Sequence, residues 1–199
     1  MKEQLMVLAA SFIAGAIIMI LHELPKAMIY QYNEKKHNLP YKNVFSLYHY
    51  IDPIGLIFCV VTKAGFSKPY LYRIKEKKMN MILGIAGYLS LLVQFLASTA
   101  VLRFCFHMDY TFVIVGSHSF LYEFMVYFTC AYALISMGML ITNLFPYMAS
   151  DMGLVIAATS PLKFFTVIRA DYLIKMVWLF TVLLGIIRSI SGAVLGLFL

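Results

Sequence analysis

The sequence predicts an all-α polytopic membrane protein with about four transmembrane helices and a re-entrant hairpin, on helices of roughly 20 residues each. Three observations predict it. Of 199 residues, 62% are apolar and only 13% charged, against roughly 45–50% and about 25% in soluble domains. The mean hydropathy is +0.85. The charges that remain fall between long apolar runs rather than within them. An ordinary cytosolic domain, a disordered tail and a disulfide scaffold are thereby excluded as classes, and residues 1–199 read as a single integral membrane domain.

The first span is expected over about residues 4–22. It lacks a small-residue cleavage site and runs straight into HELPK, so it reads as a retained helix rather than a signal peptide. Residues Pro53–Thr62 are apolar but only ten long, too short for a helix to cross a core of about 30 Å; they read as a re-entrant hairpin over about residues 51–64. Further spans are expected over about 79–102, 124–146 and 172–198.

The net charge of +7 (16 Lys and Arg against 9 Asp and Glu) gives an orientation. Lysines 26, 35, 36 and 42 precede the short run; Lys63, Lys68, Arg73, Lys75, Lys77 and Lys78 follow it, whereas residues 103–123 carry little charge. If the short run dips in and returns, both basic segments share the cytoplasmic side and the N-terminus lies outside. The cations are then topological rather than phosphate-binding, so membrane lipid is the expected environment and nucleic acid is not a partner. Cys59, Cys105 and Cys130 are widely spaced and read as packing residues.

One constellation carries chemistry. His22 and Glu23 open HELPK, the first two letters of an H-E-x-x-H zinc motif whose fifth place is taken by Lys26. There follow, in order, YIDPIGL (Tyr50–Leu56), GFSKP (Gly65–Pro69), GIAGYLSLL (Gly84–Leu92) and NLFPYMASD (Asn143–Asp151). Together these resemble the site-2 protease family of intramembrane zinc metalloproteases, in particular its compact bacterial branch. That family's pattern is HExxH, HIDPxG, GWAKP, AGPxSNL and NLxPxxxxDG. The resemblance covers residues 21–92 and 143–153.

The resemblance implies a site-2-protease-like core in a bacterial cytoplasmic membrane. It casts His22 and Asp151 as zinc ligands, Glu23 as the catalytic base that activates a metal-bound water, and Asn143 as a residue near the substrate. The chain departs from the family where the chemistry lies. Lys26 replaces the second histidine, and an ammonium offers a metal no lone pair. Pro25 removes the amide that would bond Leu21. Tyr50 stands in place of the family's histidine with His49 displaced by one, Tyr88 replaces a proline, Leu91 an asparagine, and Met152 a glycine.

The expectation is therefore a pseudoprotease with no cofactor, in which Lys26 pairs with Glu23 or Asp151 in place of zinc and a transmembrane protein partner occupies the substrate position. An active metalloprotease is the alternative, with zinc held by a neutral Lys26 or by His49 or His37. A non-enzymatic interaction or transport subunit is the third reading. Asp52 is expected at the turn into the short run, and Lys68 as a substrate- or partner-facing residue. Asp151 alone also suits a helix N-cap. No serine-protease G-x-S-G stands in any span, since residues 116–119 read Gly-Ser-His-Ser, and no G-x-G-D of the aspartyl type is present.

Overall fold

A computed structural model describes residues 2–36, 43–69, 76–107, 119–148 and 150–199. The described residues form helices α1 (Lys2–Lys36), α2 (Pro53–Thr62), α3 (Lys77–Phe104), α4 (Phe120–Leu144), α5 (Asp151–Thr159), α6 (Pro161–Leu183) and α7 (Ile186–Phe198), with no strand among them. Residues Lys2–Asn33, Lys77–Phe104 and Phe120–Leu144 are each long and apolar enough to cross a membrane; α6 and α7 make a fourth crossing if that pair, bent by 61°, is one span. Outward faces carry Leu5, Leu8, Phe12, Leu89 and Val93, which acyl chains solvate and water penalises.

Helix α1 differs most from the sequence reading, which ends it at the charged HELPK. It continues to Lys36, with Ala27 and Tyr30 buried beyond that point. The reason is local. Glu23 and Lys26 neutralise one another inside the protein, so they do not mark a water interface. Pro25 is accommodated from outside the helix. The Leu21 carbonyl it deprives accepts a hydrogen bond from Ser90 Oγ on α3 at 2.7 Å. Ser90 in turn accepts from Gln94 Nε2 (3.2 Å), and Gln94 Oε1 accepts from Tyr132 of α4 (2.7 Å). One polar chain thus ties three helices together.

Helix α2 is capped at both ends. Asp52 accepts from the Gly55 amide at 2.9 Å, with Pro53 at the first helical position. At ten residues it spans about 15 Å. At its other end Lys63 takes a left-handed conformation (φ 58°) and is buried, its Nζ donating to Ser11 Oγ and to the Val60 carbonyl. Sequence position placed Lys63 in a basic loop; the C-terminal carbonyls of α2 are a better partner for its charge than bulk lipid. Its charge disfavoured by burial, Lys63 has a pKa below the ordinary lysine value.

The core lies where four helices meet: Ala14, Ile18 and Met19 of α1, Leu56 and Cys59 of α2, Leu91 of α3, and Ile135 and Met139 of α4. Trp178 of α6 anchors a second cluster with Ala64 and Val182, its ring edge-on to Phe58 and Phe66. The three cysteines are free. A β-carbon added at Gly192 or Gly196 would meet nothing, so their G-x-x-x-G spacing packs against no other described part of this chain.

Candidate functional site

Midway along α1, residues 22, 23 and 26 share one face and turn it toward α5. Three glycines set the approach on either side. At Gly87 of α3 a β-carbon would overlap the Asp151 carboxylate, so only glycine lets α5 seat its first residue there. The segment Gly65–Pro69 is pressed on α2 in the same way: a β-carbon at Gly55 would overlap the Phe66 carbonyl, and one at Gly65 the Cys59 sulfur. The Lys68 amide also donates to the Tyr50 carbonyl at 3.0 Å. Ser67 is thereby carried to His22.

The four ionisable side chains are essentially buried, none more than 2% exposed. Lys26 Nζ donates to Glu23 Oε1 at 2.7 Å and to Asp151 Oδ1 at 2.9 Å, and stands 3.4 Å from His22 Nε2. His22 Nε2 lies 2.8 Å from Asp151 Oδ2, and Nδ1 lies 2.8 Å from Ser67 Oγ. Ser67 Oγ is also 2.8 Å from Glu23 Oε1. Burial alone would raise the Asp151 carboxyl, but Lys26 and His22 hold it below the ordinary carboxylate value.

The Ser67 hydroxyl has one proton and two acceptors, which defines two proton arrangements. Donated to Glu23, it leaves Ser67 accepting from Nδ1–H while Nε2–H donates to Asp151. The ring is then an imidazolium, and two cations balance two carboxylates. Donated instead to Nδ1, it leaves a neutral ring whose Nε2–H holds Asp151.

The residues singled out in the sequence divide cleanly. His22, Glu23, Lys26 and Asp151 converge as expected from their motifs. Asp151 is the first residue of α5, and the N-cap is Ser150, whose hydroxyl accepts from the Gly153 amide. Asn143 is buried and adjacent: its Nδ2 donates to the Met139 carbonyl at 3.0 Å, while its Oδ1 faces the Asp151 amide at 3.4 Å. Asp52 caps α2. Lys68 is exposed and apart from the cluster. His49 is exposed in a short 3-10 turn (Leu47–Tyr50), stacked on Tyr48, whereas Tyr50 is buried and donates to the Val44 carbonyl at 2.6 Å. His37 lies outside the described residues.

Beside the cluster is a cavity of about 390 Å³. Glu23, Ser67 and Asn143 form one wall; Lys175, Trp178 and Leu179 of α6 form the other. The α6 wall is not apparent from any motif, and its one advance sign is that Trp178 is the chain's single tryptophan. The Met148 amide donates to Asp171 at 2.8 Å and ties the segment before α5 to that wall. Ser67 was equally inconspicuous: it stands where the GWAKP pattern has alanine, and nothing local to it suggests chemistry.

The zinc that the resemblance implies does not fit this donor set. The Lys26 nitrogen stands among the atoms that would converge on a metal, and no group of three His, Cys, Asp or Glu suited to a metal occurs among the described residues. His22 and Asp151 alone fall short of the three protein ligands of a catalytic zinc. None of the family models, curated proteins or solved structures compared with the chain matches it.

Proposed function

We propose that this chain is an integral membrane protein built on a site-2-protease-like core, in which the Lys26 ammonium takes the place of the metal. As a metalloprotease it is inert. Its role is to hold a segment of another membrane protein in the cavity beside Glu23, with the N-terminus outside a bacterial cytoplasmic membrane and both basic segments within. The observation that carries this reading is Lys26 Nζ bonded to both Glu23 and Asp151. An ammonium so held cannot donate a lone pair to zinc, and His22 and Asp151 alone leave the ion short of the three protein ligands of a catalytic site.

Metal analysis of the purified full chain tests the reading. The wild type is expected to carry no stoichiometric zinc, even after incubation with the ion. Lys26→His restores a histidine pair at i and i+4 opposite Asp151 and is expected to bind about one zinc per chain, the His–His–carboxylate set of a zinc site. Stoichiometric zinc on the wild type would sink the proposal.

A further inference from the structure

We propose that Ser67, His22 and Asp151 form a serine nucleophile relay, and that the cavity beside it admits an ester or amide carbonyl borne on an apolar chain. The geometry meets the general requirement for an activated nucleophile: a hydroxyl within about 2.6–3.2 Å of a base that a third group orients. Ser67 Oγ is 2.8 Å from His22 Nδ1, and His22 Nε2 is 2.8 Å from Asp151 Oδ2. The ring is used in the opposite sense to the familiar serine hydrolases, with Nδ1 toward the serine. Such relays are recognised by geometry and roles rather than by chain order, and either ring nitrogen can accept a proton.

Three further features suit the arrangement. Ser67 is half-buried and lines the cavity, whereas His22 and Asp151 are buried and do not line it. The segment that carries it is fixed by the Gly55 and Gly65 contacts and by the Lys68 amide, so the nucleophile is positioned before a substrate arrives. Lys26 bonds the Asp151 oxygen that His22 leaves free, which keeps the orienting carboxylate ionised and in place. Phe66, Met176, Trp178 and Leu179 give the cavity apolar walls, which sets the character of the chain bearing the carbonyl.

In the step, the Ser67 Oγ–carbon bond forms as the hydroxyl proton passes to Nδ1. The bond from that carbon to the alcohol or amine oxygen or nitrogen then breaks, and the leaving group takes the proton from Nδ1. Water then bonds the acyl carbon as its proton passes to Nδ1, the carbon–Oγ bond breaks to release the acid, and Oγ takes the proton back from Nδ1. No metal and no electron transfer is involved. The chemistry goes beyond a partner-holding role, and it is read by a different measurement from metal content.

The test is reaction of the detergent-solubilised full chain with an alkyl fluorophosphonate, followed by intact mass and peptide mapping. One adduct per chain, on Ser67, is expected in folded protein and none after heat unfolding. Ser67→Ala should abolish it, and His22→Gln should slow it by about 10²-fold or more. Where His22→Gln does not fold, Ser67→Cys replaces it: the thiol beside His22 should be alkylated by iodoacetamide faster than Cys105, which is exposed and free. Folded wild-type protein left unlabelled at Ser67 overturns the proposal. So does an adduct that survives Ser67→Ala, and so does a thiol introduced by Ser67→Cys that is no more reactive than Cys105.

Discussion

Removing a charge from the buried cluster should be costly, and removing a matched pair should cost less than the two single losses added together. Lys26→Met keeps the volume and discards the ammonium, leaving Glu23 and Asp151 with at most His22 as counter-charge. Both carboxylates lose a bond shorter than 3 Å, at 2.7 and 2.9 Å, in surroundings no more than 2% exposed. Breaking a buried pair from one side costs about 3–5 kcal/mol. At about 2–4 °C per kcal/mol for a chain of this size, the melting temperature should fall by roughly 6–20 °C. Glu23→Gln retains the shape and an acceptor for Lys26 and Ser67, at a cost of about 1–3 kcal/mol. In the double variant one cation and one anion leave together, so it should be more stable than the sum of the single costs by about 2 kcal/mol, within the range for residues in one network. Thermal unfolding of the four proteins in one detergent measures the cycle. A Lys26→Met protein as stable as the wild type, or strictly additive costs, would refute the reading of Lys26 as the cluster's structural cation.

Gly87→Ala places a methyl on the Asp151 carboxylate and should destabilise by about 1–3 kcal/mol, whereas Gly192→Ala, which meets nothing, should not; equal melting temperatures would contradict the close approach of α3 and α5. Ser90→Ala should cost about 1–2 kcal/mol by orphaning the Leu21 carbonyl, and the loss should shrink in a Pro25→Ala background, where residue 25 regains the amide that bonds Leu21 while Gln94 Nε2 still lacks its acceptor. An undiminished loss in that background would show that Ser90 stabilises by some other contact.

The helices were legible in the sequence because bilayer thickness imposes a length, and a charge-free run of that length admits few readings. Their ends were not. HELPK looks like an interface because sequence shows ionisable residues without their partners; Asp151, which supplies the missing one, is 125 residues from Lys26. Gly185 (φ 72°) divides the last apolar stretch into α6 and α7, and among apolar neighbours a single glycine gives no such notice. At the site, motif order brought His22, Glu23 and Asp151 together in advance. The α6 wall and Ser67 escaped because their roles come from tertiary placement alone: the Ser67 segment reaches His22 through backbone pressed on two glycines.

On the reading proposed above, the cluster keeps without a metal the shape that a metal site would have. A catalytic metal binds carboxylates and imidazoles in one place and neutralises them. Take the metal away, and the same donors repel one another in a medium that screens poorly. A lysine at the vacated ligand position answers both problems, since its ammonium reaches two carboxylates at once and brings a positive charge. One ammonium carries half the charge of a zinc ion, however, and the remainder has to come from a proton on His22 or be left uncompensated. The Ser67 hydroxyl answers to that choice, its single proton lying toward Glu23 when the ring is charged and toward Nδ1 when the ring is neutral. On the proposed reading, a lysine in place of a metal therefore couples the proton on His22 to the hydroxyl of Ser67, a residue that lines the cavity.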